Sequence, residues 1–161
     1  MVKPSKIKPF LWFEDQAEEA ARFYTSIFKD GKMGKVARYP EGSPGKAGSV
    51  MTVAFQLDGV EFIALNGGAQ EWKFNDAISF VIECDTQSEI DYYWDELTAD
   101  GGKPVQCGWL KDKFGLSWQV VPAMMDRLFA GDDAKKAERT MQAMLTMVKL
   151  DIRKLEEAAT S

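Results

Sequence analysis

Apolar residues along the chain change period several times, and each change marks an element. Residues 6–13 (KIKPFLWF) form a short aromatic run of strand type that stops at Glu14 and Asp15. Ala17, Ala20, Ala21, Tyr24, Ile27 and Phe28 then recur at helical spacing. Asp15, with Glu18 three residues on, predicts a capping box for this helix, and Asp30 with Gly31 ends it. Residues 35–39 read as a strand and residues 41–48 (EGSPGKAG) as a loop. Residues 50–57 alternate with period two. Asp58–Gly59 is a strong hairpin signal, which makes residues 60–66 the returning strand, closed by Gly67 and Gly68.

The second half repeats this order. An offset of 70 superposes Phe10 on Phe80, Leu11 on Val81, Asp15 on Asp85, Glu19 on Glu89, Phe23 on Tyr93, Tyr24 on Trp94 and Ile27 on Leu97. Residues 77–84 read as a strand. The capping box Thr86 to Glu89 opens a helix over 88–98 that turns Ile90, Tyr93, Trp94 and Leu97 inward, and Gly101 with Gly102 stops it. Three short strands follow at 103–106, 107–111 and 116–121. One long helix is predicted over 133–158, with Met141, Met144, Leu145, Val148, Ile152 and Leu155 on one stripe that suits core packing or a dimer contact. The reading is an α+β chain of two tandem βαβββ modules. They occupy about residues 6–66 and 77–122 of one domain, 1–131, and a helical extension occupies 132–161.

Composition narrows the chemistry. The 161 residues are 45% hydrophobic, enough for a buried core, and carry no run long enough to cross a membrane and no apolar leader, so a cytoplasmic protein is expected. Twenty basic residues scattered against 25 acidic ones, net charge −5, argue against nucleic acid as a partner. There is no histidine, which removes His-based nucleophilic pairs, imidazole proton transfer and His-ligated metals. The cysteines, Cys84 and Cys107, are far apart and read as buried free thiols. Cys107 is the one candidate nucleophile, a weak one with no basic residue within three positions to activate it; Lys111 lies four positions on. Glu14, Asp15 and Asp58 sit at caps and turns, which explains them without catalysis.

The paired modules, the helix FYTSIF, the Asp-Gly hairpin and the closing CGWLKDKFGLSWQVVP resemble the vicinal oxygen chelate superfamily of glyoxalase I, extradiol dioxygenases and bleomycin-resistance proteins. FLWFEDQAEEAARFYTSIF and MLTMVKLDIRKLEEA look like its PhnB-like branch, often labelled 3-demethylubiquinone-9 3-methyltransferase. The resemblance implies a curved, mostly antiparallel sheet around a central cavity, and a homodimer. It also implies four metal-holding positions, which fall near Lys8, at Ala64, near Ile78 and at Gln119. An ammonium, two alkyl side chains and one neutral amide do not suit a divalent cation, so no metal and no other cofactor is expected. Methyl transfer is not supported either, because the first strand runs into EDQAEEA rather than the glycine-rich turn of common S-adenosylmethionine enzymes. An enzyme of the superfamily or the labelled methyltransferase remains the alternative.

If Gln119 faces the cavity, strand alternation puts Ser117 and Val121 beside it. The matching faces are then Phe10 and Trp12, Thr52 and Ala54, Phe62 and Asn66, and Phe80 and Ile82. The expected ligand-binding residues are Phe10, Trp12, Thr52, Phe62, Asn66, Phe80, Ser117 and Gln119. Such a lining suits a small apolar or aromatic molecule bound without chemistry.

Overall fold

The computed structural model describes residues 4–161, which divide after Trp72 into two compact units. The first contains β1 (Phe10–Phe13), α1 (Ala17–Ile27), β2 (Lys32–Arg38), β3 (Val50–Leu57) and β4 (Val60–Asn66), with sheet order β1-β4-β3-β2. β1 runs parallel to β4, and the other two ladders are antiparallel. The period-two run of β3 and β4 puts Val53, Phe55, Leu57, Phe62 and Ala64 under α1. There Tyr24, Phe55 and Phe62 stack in series with ring centroids 5.9 and 5.2 Å apart. Asp58 (φ 46°) and Gly59 (φ 79°) supply the two left-handed residues a tight hairpin needs.

The predicted capping box of α1 does not form. Gln16 occupies the cap without a side-chain bond, and Asn66 Oδ1, at the end of neighbouring β4, accepts from the Ala17 N–H at 2.7 Å. Thr86 does cap the second helix: its hydroxyl accepts from the Glu89 N–H at 3.2 Å. Glu89 reaches back to the Asp85 N–H at 2.7 Å, one residue beyond the usual partner.

The second unit holds β5 (Phe80–Cys84), α2 (Gln87–Thr98), β6 (Lys103–Pro104), β7 (Trp109–Lys111) and β8 (Ser117–Pro122). Its order, β5-β8-β7-β6, repeats the connectivity of the first. Ile82, Cys84, Leu110, Trp118 and Val120 pack with Ile90, Trp94 and Leu97 of α2. β6 and β7 are shorter than predicted because Gln106 to Gly108 form a turn in which Cys107 (φ 59°) and Gly108 (φ 83°) are left-handed.

After β8 a short helix that was not predicted, α3 (Met125–Phe129), precedes the extension, and the one long C-terminal helix is corrected to two pieces, α4 (Ala134–Leu145) and α5 (Ile152–Thr160). The break lies where the Met147 and Val148 carbonyls accept from the Cys107 and Gly108 N–H groups at 2.9 and 2.8 Å, and where the Ile152 N–H that would continue the ladder donates to Gln87 Oε1 at 2.9 Å. Asp151 restarts the helix by accepting from the Lys154 N–H at 3.0 Å. The expected stripe splits accordingly. Leu155 is buried with Leu128, Leu150 and Ala159, and Met144 packs on that cluster, whereas Met141, Leu145 and Val148 face solvent. The extension is part of the second unit. Among the described residues no helix is long and apolar enough to cross a membrane.

Candidate binding faces of the two sheets

Each sheet has a helix-covered face and an open one, and strand register decides which residues lie on each. In the first unit Phe10 pairs with Ile63 and Ile63 with Ala54, while Trp12 pairs with Leu65 and Leu65 with Thr52. Phe10, Trp12, Thr52, Ala54, Ile63 and Leu65 therefore share the open face. Trp12 is fixed there by its indole N–H, which donates to the Gly68 carbonyl at 2.9 Å, and by an edge contact with Trp72 at 5.0 Å. A side chain at Gly67 would run into the Trp12 ring.

Phe62 and Asn66 do not join this face. Phe62 is buried under α1, and Asn66 uses its amide on Ala17 and on the Val50 carbonyl, 3.2 Å away. In the second unit Val81 pairs with Gln119, Trp109 with Gln119, and Lys111 with Ser117, so these residues and Val121 lie on the open side. Phe80 and Ile82 instead pair with Trp118 and Val120 on the helix side. The expected grouping of Phe80 and Ile82 with Gln119 is thus corrected. In the helices the two units match at the offset of 70, Tyr24 with Trp94 and Ile27 with Leu97. In the first strands the buried residues match at 71, Leu11 with Ile82 and Phe13 with Cys84. The second strand-to-helix turn is one residue shorter, and a one-residue change of phase exchanges the two faces.

Polar groups on the open faces are few, and several of them are paired. Lys8 Nζ meets Glu61 Oε1 at 2.9 Å. Ser117, fully buried, donates to Asp76 Oδ1 at 2.6 Å, and the same oxygen takes the Lys111 ammonium at 3.3 Å. The Ser117 hydroxyl is the main cause that lowers the Asp76 pKa from its ordinary value; desolvation opposes it, and the Lys111 ammonium adds to the lowering. Gln119 Nε2 donates to Ser79 Oγ at 3.0 Å. Sequence reasoning missed Ser79, Trp109, Lys111 and Asp76. The alternation W-L-K of β7 held the signal for two of them, since buried Leu110 puts both neighbours on the other side.

A separate hollow lined by Gln87, Asp91, Lys149 and Leu150 serves the chain itself. Gln87 donates to the Leu150 carbonyl at 3.0 Å and accepts from the Ile152 N–H at 2.9 Å, and Lys149 pairs with Asp91 at 2.9 Å.

The thiols differ in environment. Cys84 is buried and its pKa is pushed up to about 12, by burial first and then by the charges of Glu89 and Asp85. Cys107 is half-buried. With Ellman's reagent at pH 8, Cys107 is expected to react in the native protein. Cys84 should react only on unfolding, since it carries on the order of a thousandfold less thiolate than an ordinary cysteine. Two fast equivalents would contradict the packing of β5.

The residues do not fit a metal. Of the four implied positions, Lys8 is an ammonium paired to Glu61, and Ala64 is buried under α1 and leaves Ile63 on the open face. Ile78 is exposed, and its neighbour Ser79 is the one that meets Gln119. Among the described residues no three His, Cys, Asp or Glu side chains gather closely enough to hold an ion. The S-adenosylmethionine site of the common methyltransferases is not built among the described residues either. The sheets are not doubly wound, and the first N–H of α1, which follows β1, is closed by Asn66.

Comparison with known proteins places these features in context. Residues 5–121 match the family model described as 3-demethylubiquinone-9 3-methyltransferase. The chain is similar to a putative 3-demethylubiquinone-9 3-methyltransferase, PhnB protein, from Bacillus cereus: 37% identity over 73% of this chain and 99% of that one, TM-score 0.65. Protein PA1353 from Pseudomonas aeruginosa shares the fold at 20% identity, 73% and 98% coverage and TM-score 0.59. So does the fosfomycin resistance protein FosX from Listeria monocytogenes, complexed with Mn(II) and sulfate, at 17% identity, 79% and 99% coverage and TM-score 0.54. Among curated proteins none matches.

Proposed function

The chain belongs to the PhnB-like family whose model is described as 3-demethylubiquinone-9 3-methyltransferase, within the vicinal oxygen chelate superfamily, and on that footing we propose that it binds a small apolar or aromatic molecule without a metal. The observation that carries this reading is the makeup of the open sheet faces: Phe10, Trp12, Ile63 and Leu65 with Thr52 in one unit, and Trp109, Val81 and Val121 with Gln119 in the other. Apolar surface with a few fixed hydrogen-bonding groups is what small-molecule recognition uses. Thr52 and Gln119 stay in the proposed lining, while Ser117, fully buried, acts by holding Asp76. Phe62, Asn66 and Phe80 act from behind, by holding the strands that carry those faces. Nothing in the reading requires Cys107 or a proton-transfer group, and among the described residues no doubly wound sheet offers the donor site of common methyltransferases. We carry over from the superfamily a homodimer, which light scattering should report as about twice the chain mass, and we propose a cytoplasmic location beside it.

The test is a thermal-shift screen of aromatic and quinone-like metabolites in the presence of EDTA. A ligand at a hundred times its Kd should stabilise by about 2.7 kcal/mol, or roughly 5–10 °C for a chain of this length. A screen without a shift would remove the binding proposal, and shifts that appear only when Mn(II) is restored would remove its metal-free part.

A further inference from the structure

We propose that the open face of the second sheet is selective for an aromatic carboxylate, with Lys111, Ser79 and Trp109 as the donors that receive its anionic group; this rests on the binding proposal above and adds the charge of the ligand. The register sets Trp109 against Gln119 and Lys111 against Ser117, so four side chains stand in two adjacent cross-strand pairs. Ser79 joins through Gln119, and Asp76 joins through Ser117 and Lys111.

Hydrogen-bond demand within the cluster is lopsided. The Ser117 hydroxyl is fully buried and committed to Asp76 at 2.6 Å, which places that carboxylate rather than offering a group to solvent. The Gln119 amide nitrogen is committed to Ser79, so the Ser79 oxygen is already an acceptor while its proton has no partner among the described residues. The half-buried Trp109 indole N–H also has none, and the Lys111 ammonium keeps protons beyond the one facing Asp76. Three donor groups are thus open, against one amide oxygen and the second oxygen of Asp76.

The ion pair is also uneven. Its 3.3 Å separation exceeds the usual 2.7–2.9 Å of a strong charge-assisted contact, and the Asp76 side chain is 58% exposed against 35% for Lys111. Both side chains are partly exposed, so water screens the pair and the Lys111 ammonium can meet a second anionic group. A carboxylate with a flat apolar body meets both requirements: its oxygens satisfy the three donors, and its ring lies on Trp109, Val81 and Val121. No bond is made or broken in this reading.

The test uses the full chain labelled with ¹⁵N at its tryptophan indoles, titrated with 1-naphthoate and with its neutral counterpart 1-naphthalenemethanol. Naphthoate is expected to shift the Trp109 resonance and to bind about tenfold tighter, the factor one charge-assisted hydrogen bond supplies. Lys111→Gln should abolish that preference and its salt dependence. Ser79→Ala, which leaves the ion pair intact, should reduce it severalfold with an unchanged amide fingerprint. Equal affinity for the two probes, or a preference that survives Lys111→Gln, overturns the proposal. Binding of the alcohol alone overturns it while leaving the broader binding proposal standing. If neither naphthoate, the alcohol nor any compound of the thermal-shift screen binds, both fall.

Discussion

Asp112→Ala is expected to lower stability by about 3–4 kcal/mol, a fall in Tm of roughly 6–16 °C for a chain of this size. Asp112 is only 3% exposed. Its Oδ1 accepts from the Phe114 and Leu116 N–H groups at 2.9 and 3.1 Å, and its Oδ2 accepts from Trp118 Nε1 at 2.9 Å. Alanine would leave three donors without that acceptor, and an unmet buried donor costs more than the hydrogen bond itself contributes. Asn keeps one acceptor oxygen for the two backbone groups but turns an NH₂ toward the indole, so Asp112→Asn should cost about 2 kcal/mol. In a Trp118→Phe background, where no indole N–H exists, much of that difference should vanish. Urea unfolding followed by circular dichroism reads all three. A loss below about 1 kcal/mol for Asp112→Ala would contradict the turn described. The consequence reaches the binding face, because this turn brings Lys111 and Ser117 opposite one another.

Deleting residues 133–161 is expected to prevent the second unit from folding stably, where an independent terminal helix could be removed at little cost. Leu150 is fully buried, and its side chain lies against Gly108, where a Cβ would meet Leu150 and the Val120 carbonyl at about 2.9 Å. The deletion uncovers that contact, two backbone N–H groups of the Cys107–Gly108 turn, and the Gln87 amide that bridges Leu150 and Ile152. Leu150→Ala isolates the packing part and should cost about 3 kcal/mol. A deletion variant that keeps a cooperative transition and disperses the resonances of β7 and β8 would show the extension to be separable.

Much of this architecture is legible in the chain because local and tertiary signals agree over long stretches. β3 and β4 alternate without interruption around Asp58–Gly59, and both appear at their predicted bounds. α1 and α2 carry apolar residues at three- and four-residue spacing. Other features depend on distant partners that no local window contains. The cap of α1 comes from Asn66, 49 residues away. The break in the C-terminal helix comes from Cys107 and Gly108, which take carbonyls that a 3.6-residue period assigns to the helix itself. On the candidate faces, Phe10, Trp12, Thr52, Ser117 and Gln119 are placed by alternation within single strands. Phe62 and Phe80 are misplaced because alternation gives two faces but not their phase, and aromatic character does not distinguish a ring that lines a surface from one that supports it.

The shortened turn before α2 also sets a rule for engineering. A residue copied from one repeat to the other must be moved by 70 positions in a helix and by 71 in the first strand. A consensus built on one constant offset would place Val81, which is 52% exposed, in the layer that Leu11 fills. Recombined or symmetrised versions of this chain therefore need a one-residue gap between β5 and α2. Without it, two halves of correct composition would present core residues to solvent and bury the surface that this protein leaves open.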